Sequence, residues 1–269
     1  MEFGICLNSI IPVRSEPSHT SPMVTQVLFG ELFRVMGQDK NWLQVCLAYD
    51  DYEGWISALQ VQIISESEFI RLYESETFIT TDLVQLIAQE PGHKILPIVL
   101  GSSLPGLREK YMHIGQYDFC YEGMAVNNSL FENITRPADL VNTRRQLIRD
   151  AHLYIQAPYS WGGRSPFGLD CSGFVQMLYK LNHVKLLRDA RQQAGQGEII
   201  SLLAETEPGD LAFFDDEEGN ITHVGMLIDK RRIIHCFGNV HIDPIDHEGI
   251  YNEEHQKYTR RLRLIKRMV

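Results

Sequence analysis

Residues 158–179, PYSWGGRSPFGLDCSGFVQMLY, constrain the fold of this chain more than any other stretch. The stretch opens with glycine- and proline-rich turns and changes at Cys171 into an apolar pattern with helical spacing. Asp170 suits the N-cap of that helix, because its carboxylate can accept hydrogen bonds from the first free N–H groups. The sequence therefore predicts a loop that ends in a helix, with Cys171 at the first helical position.

A cysteine at the start of a helix is a candidate nucleophile. Free N–H groups and the helix dipole favour negative charge there, so we expect the pKa of Cys171 to fall below the usual ~8.5. Ser172 and Gly173 are small enough for a substrate carbonyl to approach, and N–H groups at this helix end can stabilise an oxyanion. The residues alone leave open the alternative of a buried structural cysteine, because a nucleophile also needs a base.

Two histidines lie inside apolar strand patterns and are the candidate bases. His223 belongs to ITHVGMLI and His235 to RRIIHCFG, which are consecutive along the chain. We expect a hairpin in which a three-residue loop, 229–231, places Ile228 opposite Arg232. The two histidines then share one face as diagonal neighbours, ~7–8 Å apart between Cα atoms. A two-residue loop would place them on opposite faces.

The same register assigns a role to each histidine. Gly225 lies opposite His235 and leaves room for its ring. We expect His223 to pair with the Cys171 thiolate and then to protonate the leaving amine as general acid. His235 would fix the tautomer and orientation of His223, as a carboxylate does in other triads.

The chain divides into three predicted segments. Residues 1–64 contain short strands at close spacing, which favours a small β-barrel. Residues 65–137 combine a short helix with further strands, which we interpret as a second, degenerate barrel. Residues 138–269 begin with two helices and continue with short apolar strands, the order of an α+β domain. The basic stretch TRRLRLIKR, residues 259–267, alternates arginine with leucine and is predicted to be a final strand rather than a membrane patch.

Composition limits the classes of partner and the cellular location that we expect for this chain. The 269 residues carry a formal net charge of −10, which argues against a nucleic-acid partner. No run approaches the roughly 18 apolar residues of a membrane helix, so no membrane partner is expected. The five cysteines lie far apart and include no C-x-x-C pair, which favours free thiols over disulfides. The first residues lack a basic region, so we expect no signal peptide and a cytoplasmic location.

Four successive motifs resemble the NlpC-type cell-wall cysteine peptidases. They are PYSWGGRSPFGLDCSGFVQMLY, PGDLAFF, THVGMLI and IIHCFGNVHID, and the resemblance covers residues 140–266. It implies a papain-like α+β domain that cuts amide bonds in murein peptides, with Cys171 as nucleophile, His223 as base and His235 as third polar residue. The stretch HCFGNV departs from the commoner HASG-x-V at two positions, Cys236 and Phe237, which can reshape the wall of the site.

The resemblance also implies a substrate groove. Tyr159 matches the tyrosine beside the oxyanion site of the family, and Trp161, Asp170 and Ser172 match positions that line the groove. No metal or cofactor is implied. A zinc site made of Cys171, His223, His235 and Cys236 is disfavoured, because adjacent strand residues such as the last two point to opposite faces.

The N-terminal segment resembles bacterial SH3-like domains, which places the chain near the subgroup that resembles dipeptidyl-peptidase VI. That subgroup hydrolyses γ-D-glutamyl-L-diamino acid bonds in short murein peptides with a free N-terminal L-alanine. The stretch LLRDARQQAG is similar to its RD-x-x-Q loop, so Asp189 is one candidate to bind the substrate amine. Glu16 and Tyr52, from the first barrel, are the others.

The predicted function is therefore that of a γ-D-glutamyl-L-diamino acid endopeptidase in murein peptide recycling. Its partner would be a murein tripeptide or tetrapeptide, with diaminopimelate or lysine as the diamino acid. Two alternatives stay open. The same cysteine–histidine pair could transfer the acyl group to another acceptor, or the chain could be a non-catalytic murein-binding protein. The sequence does not give the oligomeric state.

Overall fold

The structure of the chain is a computed structural model that describes residues 2–127, 137–253 and 255–269, with the side chains of helix residues 137–141 left aside. It divides into two compact units, Met1–Leu130 and Phe131–Val269. The three-segment division stays a prediction, and the end of its second segment, residues 128–136, lies outside the described residues.

The first unit begins with seven short strands. They are β1 Glu2–Ile5, β2 Ile10–Arg14, β3 Met23–Leu28, β4 Leu32–Asp39, β5 Trp42–Leu47, β6 Glu53–Ser57 and β7 Gln62–Ile64. All pairs are antiparallel and join into one sheet in the order β3-β2-β6-β5-β4-β1-β7. The inward-facing residues, such as Val13, Val45 and Ile56, form a fully buried core. The prediction of short strands at close spacing in this segment is confirmed.

The first unit continues with one helix and seven further strands. They are α1 Glu66–Tyr73, β8 Thr77–Thr80, β9 Val84–Glu90, β10 Lys94–Val99, β11 Ser103–Pro105, β12 Tyr111–Ile114, β13 Tyr117–Tyr121 and β14 Ala125–Asn127. They form a four-stranded sheet, β10-β9-β13-β12, and a three-stranded sheet, β11-β8-β14. The short helix predicted here is confirmed, while the second SH3-like barrel stays a prediction. Phe29, Ile87 and Phe119 belong to one apolar core that joins both halves of the unit.

The second unit places its helices before most of its strands. The helices are α2 Pro137–Leu153, α3 Cys171–Leu181 and α4 Ala190–Gln193. Every residue of α3 is buried, because the helix packs against α2 and against two strands of the sheet described next. A helix buried all round is central to its domain, so its first residue, Cys171, is held in a fixed position.

The strands of the second unit form a two-stranded ribbon and a seven-stranded sheet. They are β15 Arg164–Ser165, β16 Gly168–Leu169, β17 Glu198–Ile200, β18 Leu211–Asp215, β19 Ile221–Asp229, β20 Arg232–Phe237, β21 Asn239–Pro244, β22 Gly249–Asn252 and β23 Lys257–Arg267. The sheet order is β17-β23-β18-β19-β20-β21, with β22 paired to β23, and α3 packs on β19 and β20. This is the predicted α+β arrangement, and β23 confirms the final strand.

In the part of the chain that the structure describes, no helix combines the length and the apolar character that crossing a bilayer requires.

Candidate active site

Asp170 holds the start of helix α3 in the predicted way. Its Oδ1 accepts a hydrogen bond from the Gly173 N–H at 2.7 Å, which satisfies one of the free donors of the first turn. Its Oδ2 accepts another from the Gly162 N–H at 2.8 Å, so the same carboxylate also fixes the glycine-rich loop. Gly163 contributes close packing, because a Cβ atom there would lie 2.2 Å from the Gly168 carbonyl oxygen. The loop and the helix start are thus one rigid piece.

Arg188 completes this arrangement and was missed by the sequence reasoning. Its guanidinium donates to both carboxylate oxygens of Asp170, at 3.0 and 2.8 Å, and to Ser172 Oγ at 2.9 Å. All three residues are buried. A signal for Arg188 lies in the sequence, since it is the first residue of the RD-x-x-Q loop that also contains Asp189. Asp170 and Ser172 therefore shape the site, and the prediction that they line the substrate groove stays a prediction.

Cys171 is the first residue of α3 and its side chain is enclosed. Only 8% of the residue is exposed. Burial raises the pKa of the thiol to about 11, the Asp170 carboxylate adds to the rise, and backbone N–H groups of Val224 and Ser172 oppose it. The expected fall of this pKa is therefore not found, because loss of hydration outweighs the helix end. The N–H of Val224 also ties the thiol to the strand that carries His223.

The hairpin between β19 and β20 brings the two histidines together by a different route from the predicted one. Gly225 pairs with His235, as predicted. The predicted pairing of Ile228 with Arg232 is wrong, because Arg232 pairs with Asp229 and leaves a two-residue loop. A bulge between Leu227 and Asp229 restores the register. One extra residue in a strand compensates for one residue fewer in the loop, so both histidines still face the same side.

Gly225 leaves the space that the His235 side chain needs. A Cβ atom at Gly225 would lie 2.8 Å from the Cβ of His235 and 2.7 Å from Cδ1 of Ile233. Both distances are shorter than side-chain carbons tolerate. The absence of a side chain at this position is therefore a requirement of the site rather than of the turn.

Three side chains form a hydrogen-bonded relay on this face. His223 Nε2 lies 3.0 Å from His235 Nδ1, and His235 Nε2 lies 3.2 Å from Asp243 Oδ2. Both histidines are 2% exposed. Burial lowers the pKa of each ring, so both are neutral at neutral pH. Although burial alone would raise the pKa of Asp243, hydrogen bonds from His235 and His241 hold it below its usual value, so this carboxylate is ionised.

The ionised carboxylate determines where the protons of the relay lie. Asp243 can only accept, so His235 Nε2 carries its proton and His235 Nδ1 is an acceptor. His223 Nε2 must then donate to that atom. The unprotonated nitrogen of His223 is consequently Nδ1. Asp243 is thus a positioning residue for His235 and, through that ring, for His223.

Asp243 was missed by the sequence reasoning because its place depends on a second hairpin. Strands β20 and β21 pair Phe237 with Asn239 and His235 with His241. Residue 243 lies two positions beyond His241 and therefore on the same face of the sheet. The alternation in residues 241–243, HID, predicts that His241 and Asp243 share a face. Only the register of β21 shows that this face also carries His235.

The predicted groove residues occupy the surroundings of Cys171. The Tyr159 N–H donates to the Gly238 carbonyl oxygen at 2.8 Å, which ties the loop to the end of β20. Burial raises the pKa of Tyr159 to about 12, so its hydroxyl keeps its proton and can donate to an oxyanion. Trp161 is 67% exposed and is free to contact a ligand. Cys236 points away from the histidine face, and its thiol donates to the Leu169 carbonyl oxygen at 3.2 Å.

The three candidate amine ligands are distributed over both units. Asp189 immediately precedes α4, is half-buried, and its N–H donates to Gln192 Oε1 at 3.0 Å. Glu16 is exposed and Tyr52 packs at the edge of the first barrel core. Their role in binding a substrate amine stays a prediction.

Two parts of this chain match families of known proteins. Residues 156–261 match the NlpC/P60 family, and residues 13–61 match the bacterial dipeptidyl-peptidase Sh3 domain. The second unit is an NlpC/P60 domain. The predicted papain-like fold and the SH3-like character of the first segment are thereby confirmed.

Relatives that match most of this chain carry peptidase names. The chain is 26% identical over 247 residues to the gamma-D-glutamyl-L-lysine dipeptidyl-peptidase of Bacillus subtilis (strain 168), covering 86% of this chain and 74% of the relative. It is 27% identical over 247 residues to dipeptidyl-peptidase 6 of Lysinibacillus sphaericus, covering 87% and 88%. A crystal structure of an NlpC/P60 family protein from Bacillus cereus ATCC 10987 matches with a TM-score of 0.82 at 21% identity, over 99% of both chains. The chain is a cysteine peptidase, as predicted.

Proposed function

We propose that this chain hydrolyses the γ-D-glutamyl-L-diamino acid bond of murein peptides that carry a free N-terminal L-alanine. The peptidase activity in this proposal rests on one observation, the hydrogen-bonded relay from Asp243 through His235 to His223. The backbone of Val224, next to His223, contacts the thiol of Cys171 at the start of α3. The names of the relatives support the bond, with L-lysine as the diamino acid in one of them. Diaminopimelate is the other diamino acid that the proposal includes.

The geometry supports an acyl-enzyme mechanism. As Cys171 Sγ attacks the γ-carbonyl carbon of D-glutamate, its proton moves to His223 Nδ1. The raised pKa of the thiol and the lowered pKa of His223 make the resting pair neutral, so proton transfer accompanies the attack. The developing oxyanion lies where N–H groups of the helix start and the Tyr159 hydroxyl can donate to it.

The second half of the reaction uses the same nitrogen. Protonated His223 gives its proton to the leaving amine as the C–N bond breaks, which leaves the γ-D-glutamyl thioester on Cys171. A water molecule then attacks the thioester, His223 accepts its proton, and the thiol is restored as the acid product leaves. His235 stays in place throughout and accepts the hydrogen bond from His223 Nε2, while Asp243 stabilises the positive charge.

The proposal also includes a ligand for the substrate amine and a biological setting. Asp189 follows Arg188 in the RD-x-x-Q loop, and its carboxylate suits a protonated N-terminal amine. Glu16 and Tyr52 are the candidates from the first unit. Short murein peptides with a free L-alanine are products of wall breakdown, so the proposed role is peptide recycling in the cytoplasm.

The test is an incubation of the purified protein with L-Ala-γ-D-Glu-L-Lys, its diaminopimelate analogue and the N-acetylated form of each. Products are identified by mass spectrometry. We expect release of L-Ala-γ-D-Glu from the free-amine peptides only, and a loss of about 10³-fold or more in Cys171→Ala. Cys120→Ala is the matched control, because it removes a half-buried free thiol of the first unit and should leave cleavage unchanged.

Three other outcomes would contradict parts of the proposal. Equal cleavage of acetylated peptides would keep the peptidase and remove the amine requirement. A product joined to an added amine in preference to free acid would indicate acyl transfer. Binding of peptide with no cleavage, equal in Cys171→Ala, would indicate a murein-binding protein.

A further inference from the structure

A second group of potential ligands lies on the outer side of the relay. His235 on β20 and His241 on β21 are directly opposite each other, and Asp243 follows on the same face. One nitrogen of each ring and one oxygen of the carboxylate all lie within 4.8 Å of one another. Two imidazoles and a carboxylate are a ligand set that zinc accepts.

Two of the three separations in this group match those of a metal site. Asp243 Oδ2 lies 3.2 Å from His235 Nε2 and 3.2 Å from His241 Nε2. In a tetrahedral zinc site with bonds of about 2.0–2.1 Å, neighbouring ligand atoms are about 3.3 Å apart. The side chains of His241 and Asp243 are 29% and 17% exposed, which gives an ion and a solvent ligand a path to the group.

The orientation of the His241 ring is an independent observation. Its Nδ1 lies 2.9 Å from the Asn239 carbonyl oxygen and therefore carries the proton. Its Nε2 lies 3.2 Å from Asp243 Oδ2 and donates a hydrogen bond to that oxygen when the ring is protonated. A divalent cation that takes the place of this proton would be held by the same two atoms. A backbone carbonyl that accepts the other N–H is also the usual support of a metal-binding histidine.

We propose that His235, His241 and Asp243 bind a divalent zinc-like ion and that the bound ion inhibits the peptidase. The fourth position of the ion is left to solvent. The site shares His235 and Asp243 with the catalytic relay but contains neither Cys171 nor His223, so a bound ion acts on His223 through His235.

The inhibition follows from the positions of the protons. An ion on His235 Nε2 displaces the proton from that atom, and the neutral ring carries it on Nδ1 instead. His235 then donates to His223 Nε2, and the proton of His223 moves to Nδ1. The number of protons on the two rings is unchanged, but the atom that must accept the Cys171 proton is already occupied. The general base is lost while the nucleophile is untouched.

The binding test uses cobalt(II), because a four-coordinate cobalt site has intense visible d–d bands. Cobalt is titrated into full-length Cys171→Ala, which keeps thiolate binding at Cys171 out of the spectrum. We expect saturation at one ion per chain, loss of the bands when His241→Ala is added, and retention with His247→Ala, a nearby exposed histidine. Absence of the bands, or equal bands with His241→Ala, would overturn the proposal.

The inhibition test compares zinc inhibition of the otherwise unmodified protein with that of His241→Ala. The half-inhibitory zinc concentration should rise by about tenfold or more in the variant, because losing a ligand costs at least as much affinity as losing the outer-shell support of one. Equal inhibition of both proteins would mean that zinc acts at Cys171 and His223 and would overturn the inhibitory role. The cobalt arm needs no substrate, so its outcome is independent of the proposed murein activity.

Discussion

A buried and a half-buried carboxylate support the site of the NlpC/P60 unit in different ways. Asp170 accepts hydrogen bonds from two backbone N–H groups and from both ends of the Arg188 guanidinium. Asp243 binds two imidazole rings and keeps part of its surface exposed. The first carboxylate is saturated by fixed donors and holds the backbone. The second is bound by groups that can change their protonation, so it controls protons.

This difference predicts that substitutions in the Asp170 network reduce mainly stability, whereas substitutions at Asp243 reduce mainly turnover. A saturated buried ion pair should contribute mainly to stability, because removing one partner leaves a buried charge. A partly exposed carboxylate in a proton relay should contribute mainly to turnover, since water can replace its lost contacts. The following experiments separate these two effects.

The largest effect is expected from Arg188→Met. The substitution leaves the Asp170 carboxylate buried without its guanidinium, which should lower the free energy of unfolding of the second unit by about 3–5 kcal/mol. Chemical denaturation followed by circular dichroism measures it. The matched control is Arg232→Met, which breaks an ion pair with Asp229 whose partners are 59% and 40% exposed and should cost less than about 1 kcal/mol. Equal losses in both variants would contradict the structural role of Arg188.

A smaller effect, on turnover rather than stability, is expected from Asp243→Asn. The amide nitrogen of the variant can donate to His235 Nε2, which reverses the relay and protonates His223 Nδ1. The amide can also turn its oxygen inward and restore the original order. We therefore expect kcat to fall by about 10- to 100-fold, less than the full worth of a general base, with KM unchanged.

Steady-state kinetics with L-Ala-γ-D-Glu-L-Lys in the presence of a chelator measures this split. The chelator keeps the proposed metal site from contributing. Asp229→Asn, an exposed carboxylate on the neighbouring hairpin, should leave both constants unchanged. A change in KM alone, or a loss of stability comparable to that of Arg188→Met, would show that Asp243 is structural.

The two networks also differ in how far the sequence predicts them. The Asp170 cap was predictable because the residues that cap a helix are close in sequence to its first turn, here within three positions of Cys171. The Gly225–His235 pairing was predictable from alternation, but the bulge at Ile228 was not, since loop length and bulge compensate each other. Asp243 depends on the register of one further hairpin, and Arg188 on a loop that returns to the helix. Each missed residue reaches the site through tertiary contacts that local pattern does not encode.

The smallest effect concerns the thiol that lies next to the saturated carboxylate. Because burial and the Asp170 charge raise the pKa of Cys171 to about 11, the thiol form persists at neutral pH and the thiolate fraction grows as pH approaches that value. Alkylation of Cys171 by iodoacetamide should therefore accelerate about tenfold per pH unit from about pH 7 to about pH 10, without a plateau. Mass spectrometry of the peptide that contains Cys171 gives the rate. His223→Ala should leave this profile unchanged, because the resting pair is neutral. A plateau near neutral pH that disappears in His223→Ala would instead establish a thiolate–imidazolium pair, and the site would then be activated before substrate arrives.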